Sequence, residues 1–274
     1  MSLVRLALAE DLAGFGDVTS ALTIDMASRS AAAIVTREEA VVSGLDLAAA
    51  VVTEVDAEIA FERLADDGQG VGSNVAVARL VGPSRSILSA ERTMLNLFTG
   101  LCGVATQARR FARAVEGTGV TVVDTRKTTP GLRLWEKKAV RDGGCGNHRF
   151  GLFDLVMIKD NHVAAGGGVA ATVTRARRGA PFPMKVEVEV SNEQGLLEAL
   201  AAGADIVMFD NVGTVELARL VSVARSLRPE IVLEASGGVT LESVRAIAEC
   251  GVDIISTSAL TTGALPVDLG LDFE

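Results

Sequence analysis

Polar residues recur after short apolar runs in the second half of the sequence. The runs VTVVD, LFDLVMIKD, MKVEVEV, DIVMFD, IVLEASGG and VDIISTSAL end at or near Asp124, Lys159, Glu189, Asp210, Ser236 and Thr257 or Ser258. From Glu189 onward the steps are 21, 26 and about 21 residues, close to one strand and one helix each. The carboxyl ends of the strands of a parallel α/β barrel converge on the face that holds the active site. The register therefore predicts one site, although each residue taken alone is more typical of a helix cap.

A basic segment follows the first of these runs. Residues 124–149, DTRKTTPGLRLWEKKAVRDGGCGNHR, contain seven Lys or Arg in a chain whose formal net charge is -9. Arg126 and Lys127 leave their strand on the face that also carries Glu189 and Asp210. Arg matches a carboxylate with two parallel hydrogen bonds, whereas Lys acts as a point charge on phosphate. Since carboxylates among cations suit sugar hydroxyls or a divalent cation, the mixture predicts a substrate with carboxylates, phosphates and a polyol.

Two later strand ends have the character of a phosphate site. In EASGG, residues 234–238, Gly237 and Gly238 leave backbone N–H groups uncovered between a strand and a helix. The segment STSAL, residues 256–260, lies one unit further along, and late barrel strands often bind phosphate. The pattern favours a phosphate at these ends over a plain tight turn.

The composition indicates a globular protein. Its 274 residues are 49% hydrophobic, which is enough for one large core or two modest ones. The acidic balance argues against a nucleic-acid partner. Three cysteines without CxxC spacing and two histidines indicate reduced thiols rather than a disulfide frame or a zinc site. No apolar stretch suits a membrane span and the early acids of MSLVRLALAEDLAG do not suit a signal peptide, so we expect no membrane partner and a cytoplasmic location.

Two kinds of hydrophobic pattern position the polar residues. Up to about residue 105, alternating runs such as AAAIVTREEAVVSG predict an antiparallel sheet, and SAERTMLNLFTGLCGVATQARRFARAVEG predicts one or two helices. Beyond it strands alternate with helices, and nearly all-apolar strands are typical of a parallel sheet buried on both faces. Ser191 followed by Gln194 predicts a capping box at the start of one helix, and Gly203 predicts its end. The fold class is therefore α/β.

The longest motifs resemble one enzyme family. The segment DTRKTTPGLRLWEKKAVRDGGCGNHRFGLFDLVMIKDNH, together with KVEVEV, DIVMFDN, LEASGG and the early EDLAGFGDVTS, resembles quinolinate phosphoribosyltransferases from about residue 8 onward. The resemblance implies an N-terminal open-faced α/β sandwich over residues 1–104 and an incomplete parallel α/β, TIM-like barrel over residues 105–274, with a C-terminal tail that returns to the sandwich. It also implies a homodimer, or a higher oligomer, with shared active sites.

The resemblance further implies a reaction and its participants. Quinolinate and phosphoribosyl pyrophosphate would react in the presence of Mg²⁺ to give nicotinate mononucleotide, pyrophosphate and CO₂ in NAD biosynthesis. The implied quinolinate-binding residues are Arg92 of the neighbouring subunit, Thr125, Arg126, His148, Arg149 and Lys159. The implied phosphoribosyl pyrophosphate-binding residues are Lys127, Lys159, Glu189, Asp210, Ser236, Gly237, Gly238 and Ser258. Lys127, Glu189 and Asp210 would be catalytic, and the last two would hold the metal.

The sequence departs from the family near its end. Where the family often reads GALTH, this chain has Ser258 in place of the glycine and Thr262 in place of the histidine. The glycine that Ser258 replaces is expected near the phosphate, so the contacts of the phosphate should differ from those typical of the family.

Three other functions fit parts of the pattern. A Schiff-base aldolase on the same barrel would use Lys159 as its nucleophile. A related phosphoribosyltransferase with a changed acceptor, resembling the molybdenum-associated paralogues, would keep the phosphate site. A non-catalytic sensor would bind phosphoribosyl pyrophosphate without turnover.

Overall fold

The chain forms two compact units. The structure, a computed structural model, describes residues 2–274. The first unit runs up to Arg109 and includes residues 129–144 and 263–274, and the second comprises residues 110–128 and 145–262. The predicted division into residues 1–104 and 105–274 remains a prediction, because these units describe the compactness of the chain and not independent folding.

The first unit is built on an antiparallel sheet. Four strands lie in the order β12, β1, β5, β3, where β1 is Arg29–Thr36, β3 is Ala60–Arg63, β5 is Ala76–Pro83 and β12 is Leu269–Phe273. A two-stranded ribbon joins β2 (Ala40–Val41) to β4 (Gly70–Val71). Its helices are α1 (Ser2–Leu12), α2 (Val18–Thr23), α3 (Leu45–Val55), α5 (Arg133–Asp142) and most of α4 (Ser84–Ala114).

Burial in the first unit follows the periods of strand and helix. In β1, the alternate residues Ala32, Ile34 and Thr36 are buried, as expected where one face of a sheet is covered. Helix α3 buries an apolar stripe, consisting of Leu45, Leu47, Ala48, Val51 and Val52, and packs against α1 and β3. This arrangement is the predicted open-faced sandwich.

Helix α4 is one uninterrupted helix of 31 residues, which settles the prediction of one or two helices. It contains Gly103, whose absent side chain makes room for the C-terminal tail. A Cβ atom there would lie 2.1 Å from the carbonyl oxygen of Leu265, and the N–H of Val267 donates to the carbonyl of Thr99. The close approach of two backbones explains why a glycine stands inside this helix.

The second unit is a parallel sheet of six strands. They lie in the order β6, β11, β10, β9, β8, β7 and comprise β6 (Thr121–Val123), β7 (Val156–Ile158), β8 (Val186–Val190), β9 (Ile206–Asp210), β10 (Val232–Ser236) and β11 (Ile254–Ser256). The connecting helices are α6 (Asp160–Gly166), α7 (Val169–Gly179), α8 (Glu193–Ala202), α9 (Thr214–Leu227) and α10 (Val244–Ala248), followed by a 3-10 turn, Ser258–Leu260.

The predicted strands and the α/β fold class are confirmed. All six predicted runs contain strands, and all of these except the edge strand β7 have buried centres. Strands β6 and β7 are the edges of the sheet, so the barrel is incomplete. Next to β6, Gly146 forms an isolated parallel bridge with Val123. The segment that begins there lies at the open edge of the barrel.

The predicted capping box at the start of α8 is wrong by one residue. The N-cap is Asn192, whose side-chain oxygen accepts the N–H of Gly195 at 2.9 Å. Asn is as good an N-cap as Ser, and the residue whose backbone is extended at the helix start takes the role. Gly203 ends the helix in the left-handed conformation, as predicted.

The described chain contains no candidate membrane span. Among residues 2–274, no helix is both long and apolar enough to cross a bilayer. The cytoplasmic location remains a prediction.

The fit of the tail against α4 can be tested with two glycines of the same helix. We expect Gly103→Ala to lower the free energy of unfolding by about 1–3 kcal/mol, because the new methyl group overlaps backbone atoms. Gly100→Ala is the matched control, since nothing lies within 4 Å of its Cβ position, and it should stabilise the helix by up to about 1 kcal/mol. Urea unfolding of the two variants measures the difference. Equal stability would show that the tail does not rest on Gly103.

Candidate active site

The strand ends of the second unit bring together most of the predicted site residues. Glu189 lies near the end of β8, Asp210 ends β9 and Ser236 ends β10. Asp210 and Ser236 are direct neighbours in the register of the two strands. Lys159 follows β7 immediately. The predicted convergence of these polar residues at the carboxyl ends of parallel strands is therefore present in the structure.

Two carboxylates stand on neighbouring strands at this edge. The ammonium of Lys159 donates to Glu189 Oε2 at 2.9 Å, and the side chain of Glu189 is only 12% exposed. Asp210 accepts a hydrogen bond from Asn211 Nδ2 at 2.7 Å. Asn211 has a left-handed backbone, with φ 55°. Asn211 was not among the residues predicted from the sequence, although an Asn directly after a strand-end Asp is a signal for such a turn.

The turn after β10 fits a phosphate-binding backbone. Gly237 has φ +94°, and a Cβ atom there would lie 2.4 Å from Asn211 Oδ1. Glycine is therefore required on both conformational and steric grounds. Gly238 is also left-handed, but its Cβ position is open. The hydroxyl of Ser256, a residue missed in the sequence, donates to Ser236 Oγ at 3.0 Å and orients it.

The next strand leads into a capped turn. Thr257 is buried, and its hydroxyl accepts the N–H of Ala259 at 3.1 Å while donating to the carbonyl of Val239. Thr257 is therefore a cap, whereas Ser258 begins the turn itself and is partly exposed. Of the two alternatives at this strand end, Ser258 is the one whose side chain is left for a ligand.

The backbone of Lys127 is held on both sides. Its N–H donates to Thr125 Oγ1 at 3.0 Å, and its carbonyl accepts the hydroxyl of Thr261 at 2.7 Å. The Lys127 residue itself is exposed. Thr261 is buried, and neither charge nor spacing marked it in the sequence. It fixes the chain from which the lysine projects.

Asp124 is an anchor and not an exposed ligand. It is fully buried and accepts the backbone N–H of His148 at 2.9 Å and Asn147 Nδ2 at 2.8 Å. Both donors belong to the segment that follows the Gly146 bridge. A buried carboxylate requires such donors because its desolvation is costly. Asp124 therefore ties residues 146–148 to the end of β6.

The imidazole of His148 contacts protein groups at both ring nitrogens. Nδ1 accepts the N–H of Arg149 at 2.7 Å. Nε2 lies 3.4 Å from Glu187 Oε2 and 3.3 Å from Glu234 Oε2. Burial lowers the pKa of His148, but its contacts with the two glutamates outweigh burial and raise the pKa to about 9. Burial also raises the pKa of Glu187, and the contact with His148 partly opposes this rise.

Glu187 and Glu234 were not among the site residues predicted from the sequence. Glu187 and Glu189 are alternate residues of β8, as Glu234 and Ser236 are of β10, so each pair points to one face of the sheet. The deeper member of each pair is fully buried. Both glutamates lie inside runs that were assigned to buried strands, and only the last polar residue of each run was predicted to face a ligand.

Two arginines approach each other beside the acid pair. Burial, followed by the charge of Arg126, lowers the pKa of Arg149, whereas Glu187 raises it. Arg149 Nη1 also donates to the carbonyl of Leu155 at 3.2 Å. Arg126 and Arg149 are both partly buried. The site thus combines adjacent guanidinium groups with a buried negative charge.

Arg92 is the predicted site residue that the second unit does not contain. It lies on α4 in the first unit and is exposed. The remaining predicted residues, from Thr125 to Ser258, all belong to the second unit.

Both halves of the sequence match profiles of one protein family. The profile described as "Quinolinate phosphoribosyl transferase, N-terminal domain" matches residues 17–102, and that described as "Quinolinate phosphoribosyl transferase, C-terminal domain" matches residues 104–272. A "Probable nicotinate-nucleotide pyrophosphorylase [carboxylating]" of Synechocystis sp. is 44% identical, over 96% of this chain and 89% of its own. The human nicotinate-nucleotide pyrophosphorylase [carboxylating] is 37% identical, and the match covers 98% of this chain and 90% of the human protein.

Solved structures agree with these relatives. The nicotinate-nucleotide pyrophosphorylase of Francisella tularensis superposes with a TM-score of 0.94 at 42% identity, covering 100% of this chain and 95% of its own. The nicotinate-nucleotide pyrophosphorylase of Ehrlichia chaffeensis superposes with a TM-score of 0.93 at 33% identity, covering 100% of this chain and 98% of its own. The similarity extends over both compact units.

Proposed function

The chain belongs to the quinolinate phosphoribosyltransferase family, and from this premise we propose that it joins quinolinate to phosphoribosyl pyrophosphate, forming nicotinate mononucleotide, pyrophosphate and CO₂ for NAD synthesis. One observation supports this function most directly. The carboxyl ends of one parallel sheet carry carboxylates on β8 and β9, a glycine turn suited to phosphate after β10, and Arg126 shortly after β6, whose charge acts on Arg149. A dianionic acceptor and a phosphorylated sugar need these three surfaces together.

The phosphoribosyl pyrophosphate subsite would lie along the ends of β8 to β11. Ser236, Gly237 and Gly238 would bind the 5′-phosphate through hydroxyl and backbone N–H groups, with Ser258 beside them. Glu189 and Asp210 would accept the ribose hydroxyls. Lys127 would meet the pyrophosphate, since a lysine on a fixed backbone brings a point charge to a leaving anion.

The donor set at Glu189 and Asp210 suits Mg²⁺. Both are hard oxygen ligands on neighbouring strands, and Mg²⁺ is usually held by one or two carboxylates together with substrate phosphates. When bound, the ion would neutralise charge that develops on the departing pyrophosphate. We therefore propose Mg²⁺ as the cofactor, held by Glu189 and Asp210.

The acids would stabilise the charge that forms on the sugar. As the bond between the anomeric carbon and pyrophosphate breaks, positive charge develops on the ribose ring. Carboxylates that already face this position need no reorganisation, which is why preorganised charge lowers the barrier. Lys159 holds Glu189 through its ion pair, so the acid is positioned before the substrate arrives. No covalent bond to the enzyme is required.

The arginines would position the acceptor. Arg126 and Arg149 would pair with the carboxylates of quinolinate, with Thr125 and Lys159 at the edge of its ring, so that the ring nitrogen faces the anomeric carbon. After the nitrogen has formed its bond to the sugar, the pyridinium withdraws electrons. The bond to the neighbouring carboxylate then breaks, CO₂ leaves, and the electron pair on the ring carbon takes up a proton.

We also propose a homodimer in which Arg92 serves the partner's site. The family resemblance supports this assignment, and the exposure of Arg92 on α4 is consistent with it. The aldolase alternative receives no support, because Lys159 is engaged with Glu189 and the family match covers both halves of the chain.

The choice of acceptor tests the proposed function. Nicotinate lacks the 2-carboxylate, so it would leave the charge of a partly buried guanidinium group unpaired, and we expect its kcat/KM to be about a hundredfold or more below that of quinolinate. Chromatography of the nucleotide formed with phosphoribosyl pyrophosphate and Mg²⁺ measures both reactions. Comparable efficiency with the two acids, or no product from quinolinate, would contradict the assignment.

The shared site can be tested by complementation between subunits. Arg92→Ala and Lys127→Ala homodimers should each be nearly inactive, because every site lacks one cation. If Arg92 serves the partner's site, a heterodimer of the two variants has one site with both lesions and one with neither. Mixing, dissociating and reassembling the variants should therefore restore activity. Tagged heterodimers that stay inactive would show that Arg92 acts within its own subunit.

A further inference from the structure

Two buried glutamates lie beneath the proposed acceptor site. Glu187 on β8 and Glu234 on β10 have side chains that are 0% and 1% exposed. Among residues 2–274, Oε1 of each glutamate lacks a hydrogen-bond partner, and Oε2 of Glu187 approaches His148 Nε2 at 3.4 Å without the geometry of a hydrogen bond. The inside of such a barrel is normally filled by branched apolar side chains. Carboxylates at this depth weaken packing, so their presence calls for a role other than stability.

The two glutamates act on one imidazole. They approach it from strands that lie on either side of β9, and both meet His148 Nε2, at 3.4 and 3.3 Å. The other nitrogen of the ring accepts the N–H of Arg149 at 2.7 Å. The acid pair is therefore linked, through one side chain, to the backbone of an arginine that faces the acceptor.

This cluster brings two buried carboxylates to one imidazole beside the two arginines. Glu187 raises the pKa of Arg149, whereas the like charge of Arg126 lowers it. The carboxylate of Glu187 therefore acts on Arg149 against the repulsion from Arg126.

The geometry does not suit a metal ion, although the three groups lie within 4.8 Å of one another. A metal-binding histidine donates its second ring N–H to a neighbouring acceptor. Here Nδ1 accepts the N–H of Arg149 instead of donating, so this histidine lacks the orienting contact that a metal ligand usually makes.

We propose that Glu187 and Glu234 are positioning residues of the acceptor site, which hold His148 and, through it, Arg149, and offset the repulsion between Arg149 and Arg126. This inference rests on the proposed function. It places His148 in the wall of the site, with both nitrogens engaged, and leaves the two guanidinium groups to meet quinolinate. The acid pair affects acceptor binding and leaves the phosphoribosyl subsite unchanged.

Charge-removing variants separate this role from a purely structural one. Glu187→Gln and Glu234→Gln keep the size of the side chain and an oxygen that faces Nε2. We expect each to raise the KM for quinolinate about tenfold or more, with a smaller change in kcat and a change in the Kd of phosphoribosyl pyrophosphate of less than about twofold. Steady-state kinetics and calorimetry measure these quantities.

Asp253→Asn is the matched control. Asp253 accepts two hydrogen bonds from Arg225 and one from the N–H of Leu233 at the amino ends of the strands. Its loss should lower thermal stability without changing the KM for quinolinate. If Glu187→Gln and Glu234→Gln behave like this control, or weaken both substrates equally, the acid pair is only structural and the proposal is overturned.

Two further outcomes are decisive. If the Gln variants do not fold, Glu234→Asp retains the charge but withdraws it by one methylene group, and an unchanged KM for quinolinate in this variant would overturn the proposal. Stoichiometric metal in purified wild type that both Gln variants lose would overturn it in favour of a metal site. Absence of product from the wild type would instead contradict the proposed function, so the two failures are distinguishable.

Discussion

The burial of carboxylates inside the barrel is the constraint on which the site depends. Asp124, Glu187 and Glu234 are all buried in the second unit, and a buried carboxylate is tolerated only where donors or cations approach it. The segment after the Gly146 bridge supplies them, with the backbone N–H of His148 for Asp124 and the imidazole for the two glutamates. The acids thereby draw the basic loop to the open edge of the sheet.

The two ends of the parallel sheet use the same residue types differently. At the amino ends, Asp205 accepts the N–H of Val186 and pairs with Arg177, and Asp253 binds Arg225 in the same manner. These are closed networks that fasten strands to helices. At the carboxyl ends the acids keep acceptor capacity, so charge remains for a ligand. This contrast follows the general division of barrels into a stabilising and a functional face.

Much of this architecture could be read from the sequence. Apolar runs of strand length located all six parallel strands, and the polar residues that follow them identified Lys159, Glu189, Asp210 and Ser236 as neighbours. The phosphate turn was recognisable because only glycine tolerates the conformation of Gly237.

Other features depend on contacts that no local pattern encodes. Thr261 acts through the carbonyl of a residue 134 positions away. Asn192 takes the cap predicted for Ser191, since the backbone, not the residue type, decides between neighbours. Glu187 and Glu234 resemble exposed strand positions until the sheet closes around them. The partner of Arg92 lies in another subunit under our proposal, so neither the sequence nor a single chain identifies it.

Under our proposals, buried acids organise the cations that receive the acceptor. A crystal structure of the protein with quinolinate bound is the sharpest test of this role. We predict that the carboxylates of quinolinate lie on the guanidinium groups of Arg126 and Arg149, while Nε2 of His148 still faces Glu187 and Glu234. A His148 ring turned away from both glutamates, with Nε2 on a carboxylate of quinolinate, would contradict the account.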